Sequence, residues 1–288
     1  MQFPIEQIDY AVAFPQLLEL PQKPKQLFLR GTLDNCNGKK LIAFVGSRKC
    51  TSYGKAVCRT LIEGLRGYPV AIVSGLALGI DSVAHEAALD AGLVTISFPG
   101  SGLDWKSLYP AQHKGLAENI LHAGGALLSE YPPDQRAALW TFPQRNRLMA
   151  GIADIVVVIE AEHKSGTLIT ARLATEYNKT VGAVPGAITT PTSSGTNWLL
   201  KLGAVPITDS ADILRELGLN PDVRTTLSEL TLLNNDEEKV LAILSEPKSR
   251  DQIINELALA PADANVIFST LEIKGVIRES LGMIERIM

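Results

Sequence analysis

Cysteine is nearly missing from this 288-residue chain. The three present, Cys36, Cys50 and Cys58, form no CxxC pair and no metal-ligand spacing. That excludes a disulfide scaffold and a zinc ribbon, and it points to a reducing cytosol. Long apolar runs are missing too, since none approaches the roughly 20 residues that a membrane span needs. The opening MQFPIEQIDY carries acids and no apolar stretch, so the expectation is a cytoplasmic protein with no signal peptide. An excess of basic charge is also lacking. The 27 Lys+Arg against 31 Asp+Glu leave a net charge of −4, which excludes a basic nucleic-acid coat but not a local basic site. Aromatic residues make up only 6%, which leaves few rings to serve as stacking faces. Catalytic signatures are absent as well. No Asp/Glu/His cluster has metal spacing and no G-x-S-x-G elbow occurs. Gly54-Lys55 is followed by Ala56, so there is no Walker A loop, and no three-glycine dinucleotide fingerprint appears. The sequence therefore leads us to expect no metal, no cofactor and no catalytic residue.

What the chain does have is enough apolar residue to build a core, 46%, with 20% charged. From residue 41 the pattern alternates strand and helix. LIAFV (41–45), VAIVSG (70–75), LVTISFPG (93–100), ALLSEYP (126–132), ADIVVVIEA (153–161) and TVGAVPG (180–186) are short β-branched or Leu-rich runs with helical segments between them. Continuous apolar runs with helix crossovers predict a parallel sheet covered on both faces. Residues 41–217 thus read as an α/β domain, a doubly wound, mostly parallel, Rossmann-like sheet of at least six strands. Residues 1–40 read as a lead-in segment packed on that sheet. The stretch 218–230, opening Gly218 and then Pro221, reads as a linker. Charge marks the rest as separate. Residues 225–288 hold 6 Lys+Arg and 11 Asp+Glu, a net of −5, against +1 for everything before them. Within 231–288, three helical patterns (236–246, 249–258, 261–274) and two strand-like pieces predict a small winged-helix-like domain.

The motifs gather at strand-to-helix turns, where a doubly wound sheet binds its ligands. In GSRKCTSYGKA (46–56), Gly46 allows close backbone approach, Ser47 offers a hydroxyl and Arg48 a fork of donors for phosphate. The plainer reading is an ordinary turn with a surface arginine. In SGLALGIDSVAHEAAL (74–89), Asp81 suits a helix N-cap, and His85 reads as a packed histidine rather than a catalytic one. Asp104 and Tyr109-Pro110 in GSGLDWKSLYPAQH (100–113) look structural. TFPQRNRLMAG (141–151) places Arg145, Asn146 and Arg147 in a row, able to hold phosphate oxygens or a base edge, with Phe142 either a stacking face or core. EAEHKSGTLITARLA (160–174) makes a second phosphate-shaped turn with Lys164, Gly166 and Thr167, while Glu160 and Glu162 would repel phosphate if they faced it. In VPGAITTPTSSGTNWLLKLGA (184–204), Lys201 follows Asn197 by four residues on one helix face. Several such turns on one sheet edge favour a binder of a polyanionic strand over a catalyst.

Taken in order, VGSRKCTSYG, SGLALGIDSVAHEAAL, GSGLDWKSLYP, LLSEYP, FPQRNRLMAG, EAEHKSGTLITA, and AVPG followed by SSGTNWLLKLGA resemble the DNA-processing protein A family, DprA or Smf, of bacterial natural transformation. The resemblance covers most of residues 27–205, and the tail is similar to the winged-helix-like domain often found at the family's C-terminus. It implies a homodimeric, extended Rossmann domain that binds single-stranded DNA without sequence preference. It further implies delivery of that DNA to the recombinase RecA past single-strand-binding protein, and no enzymatic activity. Carried over by motif, the DNA-binding residues would be Gly46, Ser47, Arg48, Arg145, Asn146, Arg147, Lys164, Gly166, Thr167, Asn197 and Lys201. Two features depart from the family. His113 stands where an Asn often follows the Tyr-Pro pair, and the forty lead-in residues are too few for the extra helical domain that opens many members. The alternative is a Rossmann-like nucleoside-monophosphate hydrolase, which uses an acid in the helix after its Gly-Thr start. Here the first acid there, Glu176, lies nine residues beyond Thr167, more than two turns away.

Overall fold

A computed structural model describes residues 3–221, 235–244, 247–257, 259–273, 277–280 and 282–286. The chain divides into two compact units, Met1–Thr225 and Thr226–Met288. The linker expected over 218–230 falls largely outside the described residues.

The first unit is built on β1 (Ile5–Ile8), β2 (Leu27–Gly31), β3 (Lys40–Val45), β4 (Val70–Ser74), β5 (Val94–Ser97), β6 (Ala126–Ser129), β7 (Ile155–Val158), β8 (Thr180–Ala183) and β9 (Val205–Pro206). Its helices are α1 (Tyr10–Ala13), α2 (Ser52–Glu63), α3 (Ile80–Asp90), α4 (Lys114–His122), α5 (Thr141–Ile152), α6 (Thr167–Glu176), α7 (Ser194–Lys201) and α8 (Ser210–Glu216). The nine strands form one sheet in the order β1-β2-β6-β5-β4-β3-β7-β8-β9. From β6 to β9 every pairing is parallel, as the buried apolar runs predict. Side chains alternate between the two faces with period two. Leu41, Ala43, Val45, Val156 and Val158 point into a core shared with α5, α6 and α7. Ile42, Phe44, Ile155 and Val157 point into the opposite core, shared with α2, α3 and α8.

The segment 1–40 departs from expectation. Rather than a lead-in packed on the sheet, it supplies two of its strands. Leu27 and Leu29 alternate inward, which makes LFLRG a strand, and β2 pairs antiparallel with β6 while β1 pairs antiparallel with β2. Phe14, Leu17 and Leu20, between these strands, join the core beside α5.

The chain runs outward from β3 through β4 and β5 to β6, then returns to the other side of β3 with β7, β8 and β9. The direction of winding reverses between β3 and β7, which pair directly through Ile42–Ile155 to Val45–Val158. A crevice must open there, beyond the carboxyl ends of these two strands.

The second unit contains α9 (Asn235–Ile243), β10 (Lys248–Ser249), α10 (Arg250–Leu257), α11 (Pro261–Ile273), β11 (Ile277–Ser280) and β12 (Met283–Arg286). Its strands form a separate sheet, β10-β12-β11, and Val240, Ile253, Phe268, Leu271, Ile277 and Ile284 make its own core. Among the described residues this unit thus holds three helices and a terminal hairpin.

Candidate nucleic-acid interface

The crevice at the β3/β7 switch point is a cleft of about 530 Å³. It is lined by the turn after β3, the turn after β7 and the start of α5. Of the residues expected to hold DNA, it gathers Gly46, Ser47, Arg48, Arg145, Asn146, Lys164, Gly166 and Thr167. Four cationic side chains line it, Arg48, Lys49, Arg145 and Lys164, against two acids, Asp81 and Glu162. The local sign is therefore positive on a molecule whose net charge is −4.

The side chains play unequal parts. Arg48 is exposed, and its guanidinium stands 4.8 Å from the centroid of the Phe142 ring. That contact orients a mobile side chain without using its hydrogen-bond donors. Lys164 is exposed at the turn before α6, where Gly166 leaves open space around its Cα. No side chain caps α6, and the Thr167 N–H reaches Ser165 Oγ at 3.2 Å. Gly46 lets the turn pack closely on α3, since a Cβ there would meet Ile80 Cγ1 at 2.5 Å. The start of α2 is not a free anion seat either. Thr51 caps it by accepting from the Gly54 N–H, and the buried Glu160 carboxylate accepts from the Thr51 N–H at 2.8 Å and from Thr51 Oγ1 at 2.6 Å. Glu160 is thus turned into the fold, where it also accepts from Thr192 Oγ1 at 3.2 Å, while Glu162 does face the cleft.

Arg145 lines the floor but is buried. Its Nη1 donates to the carbonyls of Gly75, at 2.6 Å, and of Phe98, and its Nε donates to Asn146 Oδ1 at 3.0 Å. A Cβ at Gly75 would meet both Arg145 Nη1 and Asp81 Oδ2, so this glycine makes room for both side chains. Asp81 does not cap α3, whose N-cap is Gly79. Instead it is buried and held by the backbone amides of Ala77 and Gly75. Burial pushes its carboxyl up from the ordinary range, against the lowering pull of Arg145.

Three expected residues lie outside the cleft lining. Arg147 is buried on another side of α5 and pairs with Glu130. Two residues along a helix is about 200° of turn, so Arg145 and Arg147 cannot share a face. Asn197 closes a loop through its amide, donating to Gly186 O at 2.9 Å and accepting from Gly186 N at 3.2 Å. Lys201 is exposed at the end of α7. Glu176, the acid the hydrolase alternative would need, pairs with Arg172 at 3.3 Å and does not line the cleft.

The surrounding loops are fixed from within. His85 is buried, as the sequence reading favours, with Nδ1 2.7 Å from Thr95 Oγ1. That hydroxyl donates its proton to Ile72 O, so the ring donates through Nδ1 and leaves Nε2 bare. Leu76 adopts a φ of 58°, a left-handed conformation rare for leucine, and its carbonyl accepts from His113 Nδ1 at 2.7 Å. The departure at His113 is therefore a brace for the SGLALG loop. Sequence reasoning did not single out Lys49 and Leu139, which also line the cleft. Adjacency to Arg48 and to the Phe142 motif is the signal that could have found them.

The profile of the family described as DNA recombination-mediator protein A matches residues 7–218. Protein Smf of Escherichia coli K12 is 43% identical over 203 residues, which is 70% of this chain and 54% of that protein. The chain therefore spans about half the length of that relative. DNA processing protein A from Streptococcus pneumoniae has an X-ray structure that matches with a TM-score of 0.68 at 38% identity, covering 75% of both chains. The structure of DNA processing protein A from Helicobacter pylori, which describes a single-stranded DNA binding mode of that protein, matches with a TM-score of 0.67 at 32% identity, covering 75% of this chain and 96% of that one. With the switch-point sheet, the motifs at its carboxyl edge and these likenesses in agreement, the chain belongs to the DprA/Smf family of DNA recombination-mediator proteins.

Proposed function

We propose that this chain binds single-stranded DNA without sequence preference and hands it to RecA, past single-strand-binding protein, during natural transformation. The observation that carries the proposal is the cleft at the β3/β7 switch point, where exposed Arg48 and Lys164, on two different turns, line one cavity with buried Arg145. Phosphates would sit between the two turns, and little in the cleft reads a base edge. The reading assigns the chain no catalytic step and places it in the cytoplasm. Among the described residues no helix is long and apolar enough to cross a membrane.

The same reading makes the protein a homodimer. Trp198 and Leu202, 39% and 64% exposed, stand beside the two-residue edge strand β9. An apolar patch next to an open sheet edge is a surface suited to a second copy.

The test is a salt series with fluorescent poly-dT, single-stranded and duplexed. Tight binding that prefers the single strand and weakens linearly in log salt supports the reading. Absence of binding at low salt overturns it. Faster RecA filament growth on strands coated with single-strand-binding protein would test the delivery step.

A further inference from the structure

Phe142 is the aromatic residue that the motif offers for base stacking, yet its surroundings leave it little free face. The Arg48 guanidinium stands over the ring at 4.8 Å. Gly100 lies against its edge, since a Cβ there would meet Phe142 Cδ1 at 2.4 Å. On a further side stands Tyr109, with ring centroids 5.6 Å apart and planes tilted by 56°. Arg48, Phe142 and Tyr109 thus form a row leading out of the cleft, and its outer member is 46% exposed.

A single exposed aromatic would be unremarked on a protein surface. This one is continuous with the cleft, and its backbone is fixed. The Tyr109 N–H donates to the hydroxyl of buried Ser101 at 3.1 Å, and the Ser101 carbonyl accepts from Ser129 Oγ at 2.7 Å. Leu108 and Pro110 on either side are buried. The ring is therefore held out at a set place, and a base stacking on it would forfeit little conformational entropy of the protein.

We infer that Tyr109 is the base-stacking platform of this cleft, and that Phe142 instead positions Arg48 for the phosphate. The inference rests on the reading of the cleft as a single-strand site and adds to it the place where a base goes. A duplex keeps its bases stacked on each other, so a protruding ring that takes one base favours the unpaired strand.

The experiment compares wild type, Tyr109→Ala and Tyr109→Phe in the full chain. Each is titrated over a salt series with an oligo-dT and with an abasic oligonucleotide of equal length. We expect Tyr109→Ala to weaken oligo-dT binding about fivefold or more, the lower end of what one base–aromatic stack contributes. Tyr109→Phe should bind like wild type. On the abasic strand the alanine variant should match wild type within about twofold, and its salt slope should be unchanged, because no phosphate contact is lost. Equal binding of oligo-dT by wild type and Tyr109→Ala overturns the inference and leaves the DNA-binding reading standing. An equal loss on both oligonucleotides also overturns it, by showing that Tyr109 shapes the loop. Failure of wild type to bind either strand sinks the underlying reading instead.

Discussion

Four arginine and lysine positions that look alike in the sequence behave differently once folded. Arg48 and Lys164 are exposed, Arg145 satisfies buried carbonyls, and Arg147 pairs with Glu130. Arg48→Ala should therefore weaken single-stranded DNA binding and make the salt slope shallower by about 0.7, the loss of one phosphate contact. Its unfolding midpoint in urea should move little. Arg145→Ala should do the reverse first, leaving the Gly75 and Phe98 carbonyls without their partner and the buried Asp81 without the neighbouring positive charge. A loss of roughly 2–4 kcal/mol in the urea midpoint analysis is expected. His85 gives a pH signature. Burial, then the nearby charges of His113 and Arg145, lower its pKa from 6.5 to about 3. Between those values the unfolded chain binds a proton that the folded one does not, so stability is full above about pH 6.5 and falls as the medium is acidified. His85→Asn, which keeps a donor for Thr95 and removes the titration, should flatten the stability–pH curve in that window. At this scale the sequence was legible in residue type and not in direction. Helical spacing alone separates Arg145 from Arg147, but nothing in the local pattern says which face meets the cleft.

The turns after β3 and β7 are tied together by an acid that the sequence presents as an obstacle. Glu160 would repel an anion if it faced one, yet its carboxylate accepts from Thr51 and Thr192 and so fixes the loop that carries Arg48. Glu160→Gln should therefore weaken DNA binding, although it removes a negative charge near an anion site. An amide can accept through only one oxygen, so a stability loss of roughly 1–3 kcal/mol should accompany it. Tighter binding by this variant in the same salt series would show the loop does not depend on the bond. The six parallel strands β3 to β8 were readable because both their faces are buried, which writes each as an apolar run. The strands β1, β2 and β9 were not. β1 and β9 are the sheet's edges and β2 lies next to one, and what makes β2 a strand is its pairing with β6, about a hundred residues further along the chain.

The two units of the molecule differ in net charge, −5 over residues 225–288 against +1 before them. In the second unit, Lys239, Lys248, Arg250 and Arg278 are each paired with an acid of the same unit, Asp236, Glu256, Glu279 and Glu285. With five more acids than bases in residues 225–288, such a surface repels a nucleic-acid backbone. We read this unit as a protein-contact or dimer-stabilising module. A chain truncated after residue 225 should keep the single-strand affinity and salt slope of the full chain, and a marked loss of either would return the unit to the DNA-binding surface. Substituting Trp198→Glu should yield a monomer by light scattering, with its unfolding midpoint little changed. The separate acidic unit was visible in charge alone, whereas the switch-point cleft became visible only when strand order placed β7 beside β3.

The antiparallel edge carries a consequence for how the chain is made. β2 leaves the ribosome before its partner β6, Phe28 standing opposite Ser129 about a hundred residues later. At translation rates of about 5–20 residues per second, the wait is roughly 5 to 20 s. A two-stranded ribbon is marginal on its own, and Leu17, Leu20, Leu27 and Leu29 have no core to enter until α5 has been synthesised. This segment is thus synthesised well before it can fold, and the nascent chain must be kept from aggregating through that interval.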